Sequence, residues 1–244
     1  MESDVRPSLT KRLRWWASDF VAVTRGALPS GESLRRPGAR FEPEHAAAVQ
    51  QCVQWLEEYI GQPHPELGRN GDICPFVNTA LRKRKMSFVV LPHVQRANFA
   101  ELRRRVLYEA FRLPRRIEES DRFAELTTTN VLLPNLTGPA AQVVHDVHTA
   151  CKTSLMRRGV MLAAFYPGYE KPAVYNPQFK LYQAPFPVIV LRPMALHDIV
   201  FLDNNSEGFG EYHRRFAKRY AAGKVSDEFG YPTRFATACL RFGL

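Results

Sequence analysis

Long apolar runs are missing from this sequence. The longest, Val160 to Tyr166 and Phe186 to Leu191, fall far short of the roughly 20 residues needed to span a bilayer, so no transmembrane segment is expected. Paired cysteines are missing too. Cys52, Cys74, Cys151 and Cys239 are far apart and form no C-x-x-C pair, which argues against a zinc ribbon or a disulfide framework. At the N-terminus, Arg6, Lys11, Arg12 and Arg14 are present, but Ser18 and Asp19 interrupt Trp15 to Val23 and no small-residue cleavage site follows. The expectation is a cytoplasmic protein with reduced thiols. Complete catalytic signatures are likewise missing. There is no H-E-x-x-H or G-x-S-x-G, and Gly68-Arg69-Asn70-Gly71 matches neither the P-loop nor the dinucleotide glycine pattern. Hydrolase, kinase and nicotinamide-enzyme readings therefore have no support, and no internal repeat is present.

Basic charge is what the chain has in excess, with 34 Lys and Arg against 24 Asp and Glu, a net +10. Such a balance attracts phosphate backbones. The basic residues are spread over several segments, however, as Arg103-Arg104-Arg105, Arg115-Arg116, Arg157-Arg158 and Arg214-Arg215, with no zinc-finger, RNP or helix-turn-helix pattern beside them. They read as solvated helix faces, and no nucleic-acid partner is expected. The 244 residues, 45% of them hydrophobic, are enough to bury a substantial core.

Residues 1–40 read as an N-terminal helical arm and linker, and 41–244 as a single domain. In the arm, Leu9, Leu13, Trp16, Phe20 and Val23 fall on one face of a helix over Ser8 to Val23. That face would pack on the domain itself or on a second subunit, a route to a homo-oligomer. Leu28 to Arg40, with Pro29, Gly31, Pro37 and Gly38, reads as linker. Apolar spacing predicts helices from Pro43 to Gly61, around Phe99 to Phe111, from Gly138 to about Arg158, and over Gly208 to Ala222. Strands are predicted at Met86 to Leu91, Thr128 to Leu133, Val160 to Tyr166 and Val188 to Leu191. Phe229 to Leu244 reads as an aromatic, basic tail. Helices and strands in this order give an α+β fold, a central mixed β-sheet covered by helices.

Two irregular stretches stand out. Pro167 to Pro187 holds five prolines with Tyr169, Tyr175, Phe179 and Tyr182, and a loop that long is usually functional. His64 to Phe76 packs histidine, arginine, glycines and cysteine between a helix and a strand. In it, His64 is expected to structure the turn. Cys74 precedes Pro75 and a first helical turn, where the positive helix end would lower its pKa, although it could equally be a small buried hydrophobe. Arg69 and Arg192 are candidate anion anchors because a guanidinium matches a carboxylate in two bonds. His197, beside Asp198, is a candidate base or metal nitrogen oriented by that carboxylate. His145 and His148, three apart on one helix, read as surface or stripe-edge residues before they read as metal ligands. Two arginines, a histidine and an aromatic loop would suit a pocket for an acidic cofactor or an amino-acid-like small molecule.

The motifs His64-Pro65-x-Leu67-Gly68-Arg69-x-Gly71-x-Ile73-Cys74-Pro75-Phe76, Tyr175-Asn176-Pro177-x-Phe179 and Ala184-Pro185-x-Pro187-Val188-x-x-Leu191-Arg192-x-Met194 resemble an uncharacterised bacterial domain family of specialised-metabolism settings. The likeness covers roughly residues 45 to 220. More distantly, Ile73-Cys74-Pro75-Phe76 and Pro187 to His197 resemble the layout of the YqcI/YcgG haem proteins. This chain has Cys-Pro-Phe where those proteins tend to Pro-Cys, and Arg-Pro-Met where they have Asn-Thr-Pro. That resemblance implies haem as cofactor with His197 as the iron ligand and Cys74 at the pocket wall. Arg69, Arg192, His64 and Phe76 complete the expected cofactor-binding set. The implied activity is that of a haem-dependent oxygenase or N-hydroxylase acting on a small amino-acid-derived substrate in a biosynthetic setting. A non-catalytic small-molecule or partner-binding accessory protein is the alternative.

Overall fold

The structure, a computed structural model, describes residues 33–34, 43–117, 123–227 and 229–244. The helix expected over Ser8 to Val23, and the oligomer surface assigned to it, lie outside the described residues. The described elements are β1 (Ser33–Leu34), α1 (Pro43–Trp55), α2 (Val77–Arg82), β2 (Met86–Val90), α3 (Phe99–Arg112), β3 (Thr128–Leu132), α4 (Gln142–Met156), β4 (Val160–Phe165), β5 (Val188–Pro193), α5 (Ile199–Leu202), α6 (Ser206–Ala221) and α7 (Tyr231–Phe242). Local chemistry sets several of these boundaries. The Asn98 side chain accepts the N–H of Glu101 at 3.1 Å and starts α3, and Asn205 accepts that of Gly208 at 2.6 Å and starts α6. Helix α1 runs on into a π turn, Leu56–Ile60, which Gly61 closes.

The strands lie in the order β1-β2-β3-β5-β4. β2 and β3 are parallel, with α3 as the crossover, and the other pairs are antiparallel. The fold is thus α+β with a mixed sheet. Alternation along the strands divides its side chains between two layers. Val89, Val131, Leu162 and Ile189 face α3 and α4, packing on Val106, Val144 and Val147. Phe88, Val90, Leu132 and Val188 face the opposite way, toward Cys52 of α1 and Val77 and Ala80 of α2. A third cluster around Phe209 and Tyr212 joins α5, α6 and α7 beside Met161 and Met194. No helix among the described residues is long and apolar enough to cross a membrane.

Two segments differ from the sequence reading. Ser33 and Leu34, inside the stretch read as linker, pair with Val89 and Phe88 and extend the sheet by one edge strand. A strand of two residues has no periodicity to detect. The C-terminal tail is mostly helix α7, with Tyr231 and Ala238 buried.

Residues 167–187 contain no helix or strand, yet they are anchored at many points. Trp55 Nε1 donates to the Gln183 carbonyl at 3.1 Å, the Tyr59 hydroxyl to that of Leu181 at 3.2 Å, and Asn176 Nδ2 to that of Glu66 at 2.7 Å. The last bond ties this loop to the His64–Phe76 stretch. The two approach so closely that a Cβ on Gly68 would sit 2.7 Å from the Tyr175 carbonyl oxygen, and Gly68 has φ +76°. Gly68→Ala should therefore lower stability by roughly 1–3 kcal/mol through backbone strain alone, with the loop contact adding to it. Urea unfolding measures this, and an unchanged midpoint would show that the two loops do not meet as described.

Candidate functional site

Helices α1 and α2 leave part of their side of the sheet uncovered, and a cavity of about 200 Å³ fills the gap. Its floor is made of sheet residues that register places side by side: Met161 opposite Arg192, Ala163 opposite Val190, and Asn130 opposite Val190 on the next strand. Its walls are the π turn, the His64–Phe76 stretch and the long loop. Single π turns inside helices are often found at functional sites, and here Leu56 and Ile60 of that turn line the cavity. Val174 and Phe201, apolar lining residues that are 42% and 37% exposed, mark where it opens.

Five of the six residues singled out in sequence, Arg69, Cys74, Phe76, Arg192 and His197, line this one cavity. His64 does not. Its ring stacks on Phe179 at 4.3 Å, and its Nδ1 accepts the Glu66 N–H at 3.2 Å, so it shapes the turn and clamps the long loop from outside. Arg192 is not a free anion anchor, because its guanidinium makes a two-bond ion pair with Asp198, whose side chain is fully buried. Asp198 also accepts the Ala195 N–H at 2.8 Å. Arg69 is similarly engaged: Nη1 donates to the Asn70 carbonyl at 2.7 Å, and Nη2 to those of Asp72 and Ile73 at 2.7 and 3.0 Å. It organises its own turn and faces the Tyr175 ring at 6.0 Å.

His197 sits where Phe76, Phe201 and Tyr231 meet, each ring edge-on to it. Its Nδ1 is hydrogen-bonded to the Tyr231 hydroxyl. Burial, assisted by the positive fields of Arg192 and Arg69, pushes its pKa down to about 4, against the opposing pull of Asp198. The imidazole is therefore neutral at pH 7, with Nε2 left for a ligand. Of the two sequence readings of Cys74, the thiol pKa follows the one that rests on burial. The backbone N–H groups of Phe76 and Val77 do lower its pKa, but burial outweighs them and the net shift is upward. The thiol is therefore protonated at neutral pH.

The cavity also reaches groups that sequence reasoning did not select. Lys152, one helical turn beyond His148 on α4, and Lys171 from the long loop line it together with His148. The four-residue spacing of His148 and Lys152 was a legible sign of one shared helix face. Lys171 carried no local signal. Burial and the neighbouring Lys152 lower its pKa to about 8. Burial pushes His148 down to about 4, with Lys171, Lys152 and His145 acting in the same direction.

Among the described residues, no group of three His, Cys, Asp or Glu side chains is placed to hold a metal ion. Haem fits the cavity in one respect, since neutral His197 offers a nitrogen whose ring is held from the far side, as metal-bound histidines are. In two others it does not. Both candidate propionate partners are engaged within the protein, and about 200 Å³ is below even the usual 300–1,000 Å³ of small-molecule pockets.

A family model described as a domain of unknown function (DUF6875) matches residues 49–227. No curated protein matches the chain, and no solved structure does. The matched region holds both loops and His197 but ends before α7, which supplies Tyr231.

Two buried histidines with depressed pKa values make stability depend on pH. Each stays neutral in the folded protein down to about 4, whereas the unfolded chain takes up its proton near the ordinary 6.5. Between those values the unfolded state binds more protons, so their contribution is present above pH 6.5 and is lost as pH falls toward 4. Urea midpoints measured across this window should fall less steeply in His148→Gln and His197→Gln than in the unaltered protein. Parallel curves would show that neither ring is held neutral.

Proposed function

The chain belongs to the DUF6875 domain family, and we propose that its cavity binds a small, predominantly apolar organic molecule whose polar end meets His197. The observation that carries this reading is the placement of a neutral imidazole, anchored at Nδ1, in the wall of a predominantly apolar cavity. Such pockets gain affinity from apolar contact and orientation from a few polar groups. Trp55, Phe165, Tyr182 and Phe201 supply the first. Nε2 of His197 supplies the second, either as a hydrogen-bonding partner or as a base of the kind a reaction on the bound molecule would use. At this ring the Asp198 carboxylate offsets the fields of Arg192 and Arg69, so the polar end of the ligand, as in an amino-acid-derived substrate, is selected by its hydrogen bond to the imidazole. Burial of His197 and the protonated Cys74 both argue for acid–base or binding roles over thiolate chemistry.

A panel of small aromatic and aliphatic acids, with neutral and wholly apolar analogues, tests this by thermal shift. A ligand at 100 times its Kd should stabilise the folded protein by about 2.7 kcal/mol. Ala163→Phe, which fills the cavity from its floor, should abolish the shift. His197→Ala should weaken binding of probes whose polar end can hydrogen-bond and leave wholly apolar analogues unaffected. Failure of every probe, or shifts indifferent to Ala163→Phe, would overturn the reading.

A second reading, haem-dependent oxidation of a small amino-acid-derived substrate, is favoured by the same anchored imidazole. It requires the two loops to part, since the cavity is small for a porphyrin. Titration of the purified protein with hemin should then give a sharp Soret band that His197→Ala removes. Absence of that band, or its persistence in the variant, counts against it.

A further inference from the structure

Beside the cavity lies a second, more open cleft of about 740 Å³, and the two share His148, Lys152 and Lys171. One wall of the cleft is α4, and the other is the chain that follows β4. The walls are fixed to each other. The Tyr166 hydroxyl donates to Gln142 Oε1 at 3.0 Å, Tyr169 Oη lies 2.8 Å from His145 Nδ1, and the two tyrosine rings stack at 4.3 Å. The cleft is therefore a preformed concavity.

Its electrostatics are unbalanced. Lys152 and Lys171 approach closely enough for Lys152 to depress the pKa of Lys171, and neither forms an ion pair among the described residues. Lys171 Nζ instead lies 4.5 Å from the centre of the Tyr182 ring, an attraction far weaker than a buried carboxylate would give. Glu170 also lines the cleft, but it is exposed, where water and salt screen its charge. His148, more than nine-tenths buried, closes the inner end of the cleft. Two uncompensated ammonium groups side by side call for a counter-charge.

We propose that this cleft is a binding site for a dianionic oxyanion, an inorganic phosphate or phosphate ester, held by Lys152 and Lys171 at the end that His148 closes. The charge matches: two ammonium groups meet two negative charges. Bound anion would also favour the charged form of Lys171, whose pKa is lowered to about 8, so binding near that pH takes up a proton. The lysines bind as compact point charges, and the neighbouring hydroxyls give polar surface for the remaining oxygens. The site is separate from the apolar cavity in its chemistry, and it stands whether or not that cavity binds an organic molecule.

Calorimetric titration of the full chain with inorganic phosphate, at ionic strength held constant with sodium chloride, tests the proposal. Saturable binding is expected, weakened roughly tenfold or more in Lys152→Gln and in Lys171→Gln. Titrations near pH 8 in two buffers of different ionisation heat should show proton uptake, lost in Lys171→Gln. Lys152 is half-buried on a helix face, so its variant remains informative if the Lys171 variant does not fold. No saturable heat, or binding that the Lys152 and Lys171 variants leave unchanged, would overturn the assignment.

Discussion

The ion pair between Arg192 and Asp198 is the contact on which the site rests. Arg192 ends β5, and Asp198 lies in the short turn that leads to α5; the carboxylate is fully buried and also fixes the Ala195 N–H. One buried charge thus ties the floor of the cavity to the turn that carries His197. Breaking such a pair by removing one partner typically costs 3–5 kcal/mol, because the remaining charge is left without compensation. The same pairing accounts for two further properties. It keeps Arg192 from acting as an open anion anchor, and it sets guanidinium against carboxylate at the His197 ring, which leaves burial to decide the neutral state.

From that floor the site is assembled by loops that hold one another. Arg69 binds three carbonyls of its own turn, Tyr175 lies between Arg69 and Arg234, and Arg234 pairs with Asp203 at 2.5 Å. The chain ends of three distant segments are thereby joined around a single aromatic ring. The polar ends of the cavity are chemically unlike. His197 stands as a neutral imidazole among aromatic edges, whereas Lys152 and Lys171 bring unpaired positive charge toward the neighbouring cleft.

Much of this was legible in the sequence, for reasons that particular residues show. The strands β2 to β5 and the long helices α1, α3, α4 and α6 announce themselves because one side of each must be apolar. The adjacency of β3 and β5 did not, since hydrogen-bonding order depends on packing across the whole chain. Helix α7 was hidden by a composition that reads as an aromatic, basic tail, although Tyr231, Phe235, Ala238 and Phe242 recur at helical spacing. In the site, Arg69, Cys74, Phe76, Arg192 and His197 were identifiable by residue type and position, and they share one cavity. Their bonding partners were not. Asp198 adjoins His197 in sequence and suggested a carboxylate that orients the imidazole; the fold turns that carboxylate onto Arg192 and gives the ring to Tyr231. Of the two readings of Cys74, the one from the backbone N–H groups near it is a correct local effect overtaken by burial, which only the assembled fold reveals.

The close approach of Gly68 to Tyr175 bears on how such a site can change over time. The long loop packs Tyr169, Tyr182 and Phe186 into the clusters that cover the sheet, so substitutions that alter ligand preference can accumulate only at its other, cavity-facing positions. They cannot accumulate in one loop independently. A bulkier residue at position 68 displaces the backbone at 175, and with it the ring that Arg69 and Arg234 share. The two loops are therefore inherited, and would have to be transplanted, as one cassette.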